Sequence, residues 1–346
     1  MAGPRAAEES PPARPQPARR RRSGAARAVA LYLLTLLVVV TVVFALPRAM
    51  PGDPLAALVD PNDPNPLTSE VVRQELMAYY GLDQPLLAQY RGYLAGLARG
   101  DFGWSISRNT PVATLIQGRL PWTLLLMGTA LAASAAISFV AGVAAGWRRG
   151  RLADRAATMA MTAINGVPDY ALAALMLVTF AVVIPAFPVS GARTPFATYP
   201  SRLAEVGDVA RHLVLPMAAL TLALLGNKFL LVRNSVVSSL GSDFMLLAEA
   251  KGLPDRVVKY RHAGRNALLP FLTVVGIQTG FAVGGAIFVE SVFAYPGMGS
   301  LILQAVEARD FPVLEASFLV FAVVVLVVNL ALELVYRRVD PRVGAE

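Results

Sequence analysis

Six stretches of the chain are apolar and nearly free of charge, and between them the sequence turns abruptly polar or basic. A helix needs about 20 mostly apolar residues to cross roughly 30 Å of hydrocarbon. Ala28–Leu46 supplies 19 uncharged residues, Leu120–Trp147 supplies 28 between Arg119 and Arg148, Asn266–Val289 supplies 24 and Ala316–Leu332 supplies 17. Ala156–Ile184 is interrupted by one ionisable group, Asp169. Leu213–Val232 holds only Lys228, near one end, where its aliphatic stem can carry the ammonium to the surface. The pattern predicts an all-α integral membrane protein with six transmembrane helices. Between the first two spans, Met50-Pro51-Gly52-Asp53-Pro54 and the Asp/Pro/Asn cluster 60–66 are turn chemistry. Two shorter helices are expected to follow. One is Ser69–Tyr80, capped by Thr68 or Ser69 and stopped by Gly81; the other is Gln84–Arg99, stopped by Gly100.

Charge sets the orientation. Of the 31 Lys and Arg residues, 21 fall in four segments: 1–27, 148–155, 228–265 and the tail after the last span. With six spans these segments share one face, so the positive-inside rule places both termini in the cytoplasm and 47–118 outside. Four divisions follow: an Arg/Pro-rich tail 1–27, expected to be disordered; the first span with its extracytoplasmic region, 28–118; a five-helix core, 119–336, containing the cytoplasmic loop 233–265; and a short tail, 337–346. Arg19–Arg22 before an apolar run also resembles a secretory signal. The run of 19 residues exceeds the usual length, however, and no small-x-small cleavage site follows it, which favours a retained span. Beside a membrane the basic tail orients that span and meets anionic headgroups, and it is not read as a nucleic-acid site.

Composition removes most chemistry. The chain is 55% hydrophobic and only 16% charged, against about a quarter charged in a soluble domain. No cysteine occurs, which excludes disulfides, thiolate metal sites and a cysteine nucleophile. Only Lys228, Lys251 and Lys259 are lysines, and none is followed by Ser or Thr as a Walker phosphate loop demands. His212 and His262 fall on opposite membrane faces, so neither a zinc site nor a His-paired serine triad is supported. No catalytic residues, metal or cofactor are expected.

Two features inside the spans carry alternatives. Asp169 follows Pro168 in Asn165-Gly166-Val167-Pro168-Asp169-Tyr170. It is either a carboxyl satisfied by backbone freed at the proline or, less economically, part of a proton relay for which no second ionisable group is placed. Gly276, Gly280 and Gly284 lie four apart on one face of the fifth span, with Gly285 beside them. Such a stripe serves either packing within the subunit or a pore-lining or subunit-interface helix.

The segment between the fourth and fifth spans is the most informative. It predicts a helix from Asp243 to Gly252, a sharp bend, and a second helix with Pro254 in its first turn and Asp255 complementing its dipole. A short rigid knob of this kind is suited to docking in another protein's groove.

Ala248-Glu249-Ala250-Lys251-Gly252-Leu253, followed by Arg261-His262-Ala263 and Arg265-Asn266-Ala267-Leu268-Leu269-Pro270, resembles the coupling loop of bacterial ABC-importer permeases. The closest likeness is to the first permease of dipeptide/oligopeptide/nickel-type systems. Further motifs agree in order: Pro51-Gly52-Asp53-Pro54; Gly81-Leu82-Asp83-Gln84-Pro85 with Gln89-Tyr90; Gly100-Asp101-Phe102-Gly103-Trp104-Ser105; Val189-Ser190-Gly191; Phe293-Ala294-Tyr295-Pro296-Gly297-Met298-Gly299; Arg309-Asp310-Phe311-Pro312-Val313; and Asp340-Pro341-Arg342. One departure stands out. Where the general signature has Glu-Ala-Ala, this chain has Leu246-Leu247-Ala248.

The resemblance implies a type I ABC importer permease (MetI-like) fold with an extracytoplasmic helical insert after the first span, in the bacterial cell membrane. It implies half of a pore completed by a second homologous permease, two ABC ATPase subunits and an extracytoplasmic substrate-binding protein. One ATPase would receive the knob at Leu246, Leu247, Ala248, Glu249, Ala250, Lys251, Gly252 and Leu253. The binding protein would contact 47–118 and the turn at Tyr295, Pro296, Gly297, Met298 and Gly299. Peptides, nickel chelates, glutathione and oligosaccharides all fall within that cargo range. Readings from other classes are a proton-coupled transporter built on Asp169 and a membrane scaffold without transport.

Overall fold

Long helices account for nearly all of the computed structural model, which describes residues 19–49, 74, 77–78, 81 and 83–339. The expectations for the tail, for Pro51–Pro54, for the 60–66 turns, for most of the helix 69–80 and for Asp340–Arg342 fall outside the described residues. Helix α1 is Arg19–Ala49 and α2 is Leu86–Ala98, entered through Pro85. Then come α3 (Val112–Trp147), α4 (Leu152–Asn165), α5 (Asp169–Val183) and α6 (Arg202–Ser239). After them follow α7 (Asp243–Ala250), α8 (Asp255–Val292), α9 (Met298–Glu307) and α10 (Phe311–Val339). Among the described residues, extended pairing is confined to a single bridge between Trp104 and Pro111.

Four of these helices, α3, α6, α8 and α10, are long and apolar enough to cross a bilayer; Ala30–Leu46 of α1 is a shorter apolar helix. The expected third span is not one straight rod. It divides into α4 and α5, which meet at 102°. Pro168 has no amide hydrogen and disfavours helical geometry in the residue before it, so α4 stops at Asn165 and α5 restarts at Asp169. Helices α3 and α6 also run past their apolar stretches, to 36 and 38 residues. At 1.5 Å per residue both exceed about 50 Å, longer than the hydrocarbon is thick.

Helix α6 is the hub. It packs most extensively on α3, then on α8, α4 and α5. The α3–α6 contact rests on a seam of small residues four apart, Ser134, Ser138, Gly142 and Gly146, all buried. A Cβ on Gly142 would stand 2.8 Å from Cβ of Val232, and one on Gly146 would stand 2.8 Å from the Arg233 carbonyl oxygen. The backbones therefore meet at a separation that only glycine allows. Lys228 departs from expectation here. Instead of reaching the surface it is fully buried, its Nζ donating to Ser134 Oγ at 2.8 Å. The helix continues to Ser239, so Lys228 lies deeper than the apolar stretch implied, and the seam supplies its partner.

Helix α1 packs along α10 and is fastened near its middle and at its C-terminal end. Tyr32 Oη donates to Glu333 at 3.1 Å, and Arg48 pairs with the buried Glu315. The Arg48 guanidinium also lies 3.6 Å over the Phe44 ring and donates to Gln89 of α2 at 3.1 Å. Arg48→Ala is expected to loosen α1 locally. Amide exchange over 40–48 should quicken while α3 and α6 keep their protection, and equal protection throughout would refute the fastening.

Candidate coupling segment and translocation face

The knob begins where α6 ends. Gly241 takes φ +89° and turns the chain, and Ser242 accepts the amides of Met245 and Leu246 at 2.9 and 3.1 Å to start α7. At the far end Gly252 adopts φ +67°, in the left-handed region that side chains disfavour. Pro254 then leads into α8. The helix–bend–helix expected from the sequence is present, with α7 stopping at Ala250. Helix α8 opens with a π-helical turn, Val258–Ala263, before settling into regular geometry.

Helix α7 is apolar on both sides. Met245 and Ala248 are buried against Val143, Val232, Val236 and Phe271, which locks the knob to α3, α6 and α8. Facing away, Phe244, Leu246 and Leu247 are 42%, 55% and 56% exposed. Ala250, Lys251 and Gly252 are also exposed and Leu253 is half-buried; Glu249 belongs to α7, but its side chain is outside the described set. Two polar ties brace the base. Asn266 donates to Ser239 Oγ at 3.1 Å, and Arg233 grips Asp154 with two bonds of 2.7 and 3.0 Å.

The glycine stripe of α8 divides in two. A Cβ on Gly276 would meet Asn329 Oδ1 at 3.2 Å, so this glycine packs on α10. Gly285 is buried, with the Asp169 carboxylate 2.6 Å from where its Cβ would be. Gly280 and Gly284 have nothing within 4 Å. They share an outward face with Ile277, Phe281 and Phe288, which are 59%, 72% and 51% exposed. Asp169 is the first residue of α5, where a carboxylate meets the positive end of the helix. Among the described residues no cation within 4.0 Å pairs with it.

The turn 295–299 is not presented as a surface by this chain. Tyr295, Gly297, Met298 and Gly299 are buried, and only Ala294 and Pro296 reach outward. Tyr295 sits edge-on to Trp122 at 6.0 Å, and burial, with the Glu290 carboxylate near, pushes its phenol above the usual range. The physical reason is Glu290. It is fully buried and accepts from Thr123 Oγ1 at 2.5 Å, from the Gly299 amide at 2.7 Å and from the Ser300 amide at 3.3 Å. Thr123 in turn accepts the Met298 amide at 2.7 Å. These two side chains satisfy the first turn of α9, whose preceding residue, Gly297, has no side chain to cap it. Asp310 plays a similar part, accepting from Ser105 Oγ, Ser107 N and Ser107 Oγ at 2.5, 3.0 and 2.7 Å. Glu290, Thr123 and the α3 seam escaped the sequence reading. The four-residue spacing of Ser134, Ser138, Gly142 and Gly146 was the signal available for the seam.

The described residues form a bundle of apolar helices that carries, at one end, a braced knob with an outward apolar face. The chain belongs to the family of binding-protein-dependent transport system inner membrane components, whose model matches residues 138–345. Similar proteins include a peptide permease of Brucella ovis, 36% identical over 87% of this chain and 92% of the relative. The oligopeptide transport system permease protein AppB of Bacillus subtilis is 33% identical, and the glutathione transport system permease protein GsiC of Escherichia coli is 34% identical, each over the same shares.

Proposed function

We propose that the chain forms half of a peptide pathway through the cell membrane, crossing it six times with both termini in the cytoplasm, if α1 and the bent α4–α5 pair each count as one crossing. A second homologous permease completes the pore, two ATPases bind from the cytoplasm, and an extracytoplasmic binding protein delivers cargo. The observation that carries this reading is α7. Its inner face is fixed in the core, while Phe244, Leu246 and Leu247 are held out on a helix too short to be stable alone. A protein partner is the natural cover for such a face. The ATPase pulls on the knob, and because Met245 and Ala248 are locked to α3, α6 and α8, these helices move as one body. Rocking of rigid bundles then alternates access. Gly280, Gly284 and Phe281 on the open face of α8 suit contact with the second permease or lining of the pore. Peptide cargo is supported by the names of the relatives, which read peptide, oligopeptide and glutathione.

The test is affinity purification of tagged chain from gently solubilised membranes, with partners identified by mass spectrometry. Two ATPases and a second permease are expected. The variant L246E/L247E should stay folded yet recover at least about tenfold less ATPase, as loss of a central anchor implies. Wild-type chain emerging alone from several mild detergents would refute the assembly. Undiminished ATPase recovery by the variant would refute the docking face.

A further inference from the structure

At the knob's end of the bundle, a cleft of about 410 Å³ opens between the last turn of α3 and the start of α8. Four cations line it: Arg148, Arg151, Arg256 and Lys259. Asp255 is the single acid in the lining, and among the described residues none of the four cations has a carboxylate within 4.0 Å. Asp154, the acid nearest Arg151 in sequence, is held instead by Arg233 and the Gly150 amide. Unpaired like charges crowded in one cleft repel each other, and an anion relieves that repulsion.

The location says which anion. Trp147 closes an uncharged stretch of 28 residues, and Arg148 follows it directly, so the cleft lies where hydrocarbon gives way to water. Trp147 and Tyr260 flank the cations, and Lys259 stands 4.7 Å over the Tyr260 ring. Aromatic rings beside cations at this depth are the composition of a headgroup site. We propose that the cleft binds the phosphodiester headgroup of an anionic phospholipid, tying the end of α3 and the start of α8 to the leaflet beside the knob. The inference requires only that this end of α3 lies at a membrane surface, and it stands apart from the identity of the transported cargo.

Native mass spectrometry of the full chain in non-ionic detergent tests it, with phosphatidylglycerol, phosphatidylcholine and inorganic phosphate as probes. Wild-type protein is expected to retain phosphatidylglycerol in preference to phosphatidylcholine, and millimolar inorganic phosphate should not displace it. In R151Q/R256Q/K259Q, retention should weaken about fivefold for each charge removed, with elution from size exclusion unchanged. Arg202→Gln, at the opposite end of α6, should retain lipid as wild type does. No preference for the anionic lipid, or equal retention by the triple variant, would overturn the proposal. Displacement by inorganic phosphate would make the cleft a soluble-anion site, and loss of ATPase recovery with lipid retention intact would make it a protein interface. Either result also overturns the proposal, and neither touches the docking face of α7.

Discussion

Gly142→Leu is expected to leave little folded protein after extraction, whereas Gly280→Leu should extract as wild type does. Both residues are glycines inside long apolar helices, so hydropathy and propensity do not separate them. Their surroundings do. At Gly142 a first carbon would stand 2.8 Å from Val232 and 3.0 Å from the Phe229 carbonyl oxygen, and both neighbours are themselves buried. Inside a membrane, lipid tails are as apolar as the helices, so association depends on close packing and hydrogen bonds. Forcing α3 off α6 would also separate Lys228 from Ser134, 2.8 Å apart and both buried. Alanine alone at such a site costs about 1–3 kcal/mol in overpacking, and leucine adds three more carbons with nowhere to go. At Gly280 nothing lies within 4 Å, and replacing glycine by a good helix former gains roughly 1 kcal/mol. Monodisperse yield on size exclusion, followed by thermal unfolding of what remains, measures both. Equal yields would mean that the α3–α6 seam does not hold the bundle.

This contrast shows where the sequence was legible and where it stopped. The apolar stretches announced α3, α6, α8 and α10 because a bilayer rewards only uncharged length, and that is visible one residue at a time. The bend at Gly252 was equally visible, since glycine and then proline leave the chain few alternatives. What the sequence could not display was partnership. Gly276, Gly280 and Gly284 look alike along the chain, yet Gly276 meets α10 while the other two face open space. Lys228 lay near the end of an apolar stretch and was expected to reach the surface, but the helix ran on and Ser134 received it. Motifs around 295–299 suggested a contact surface, and most of that turn is core. For Gly276 and Lys228 the deciding atom comes from a helix far away in sequence, and for the turn it comes from Glu290 close by together with Thr123 of a distant helix.

Glu290→Ala should be nearly as damaging, by a different route. The carboxylate binds three donors at once, and Thr123 relays it to a fourth, the Met298 amide. Removing it strands the Gly299 and Ser300 amides at the start of α9 and frees Thr123 to turn away. A hydrogen bond contributes about 0.5–1.5 kcal/mol, and each donor left unpaired in the interior costs about 1–3 kcal/mol more. The loss should localise first to α9, seen as faster amide exchange at Gly299 and Ser300, and then to the packing of Tyr295 on Trp122. Glu290→Gln keeps one acceptor oxygen and should recover part of the protection. Thr123→Val alone should be milder, because the carboxylate still holds its two amides. The double variant should cost less than the sum of the singles, since both act on one network. Additive costs would show that the two side chains act independently, and unchanged exchange at Gly299 in Glu290→Ala would show that α9 is held by its apolar contacts alone. Met298, Leu301 and Ile302 would then carry the turn without help from the buried Glu290 side chain.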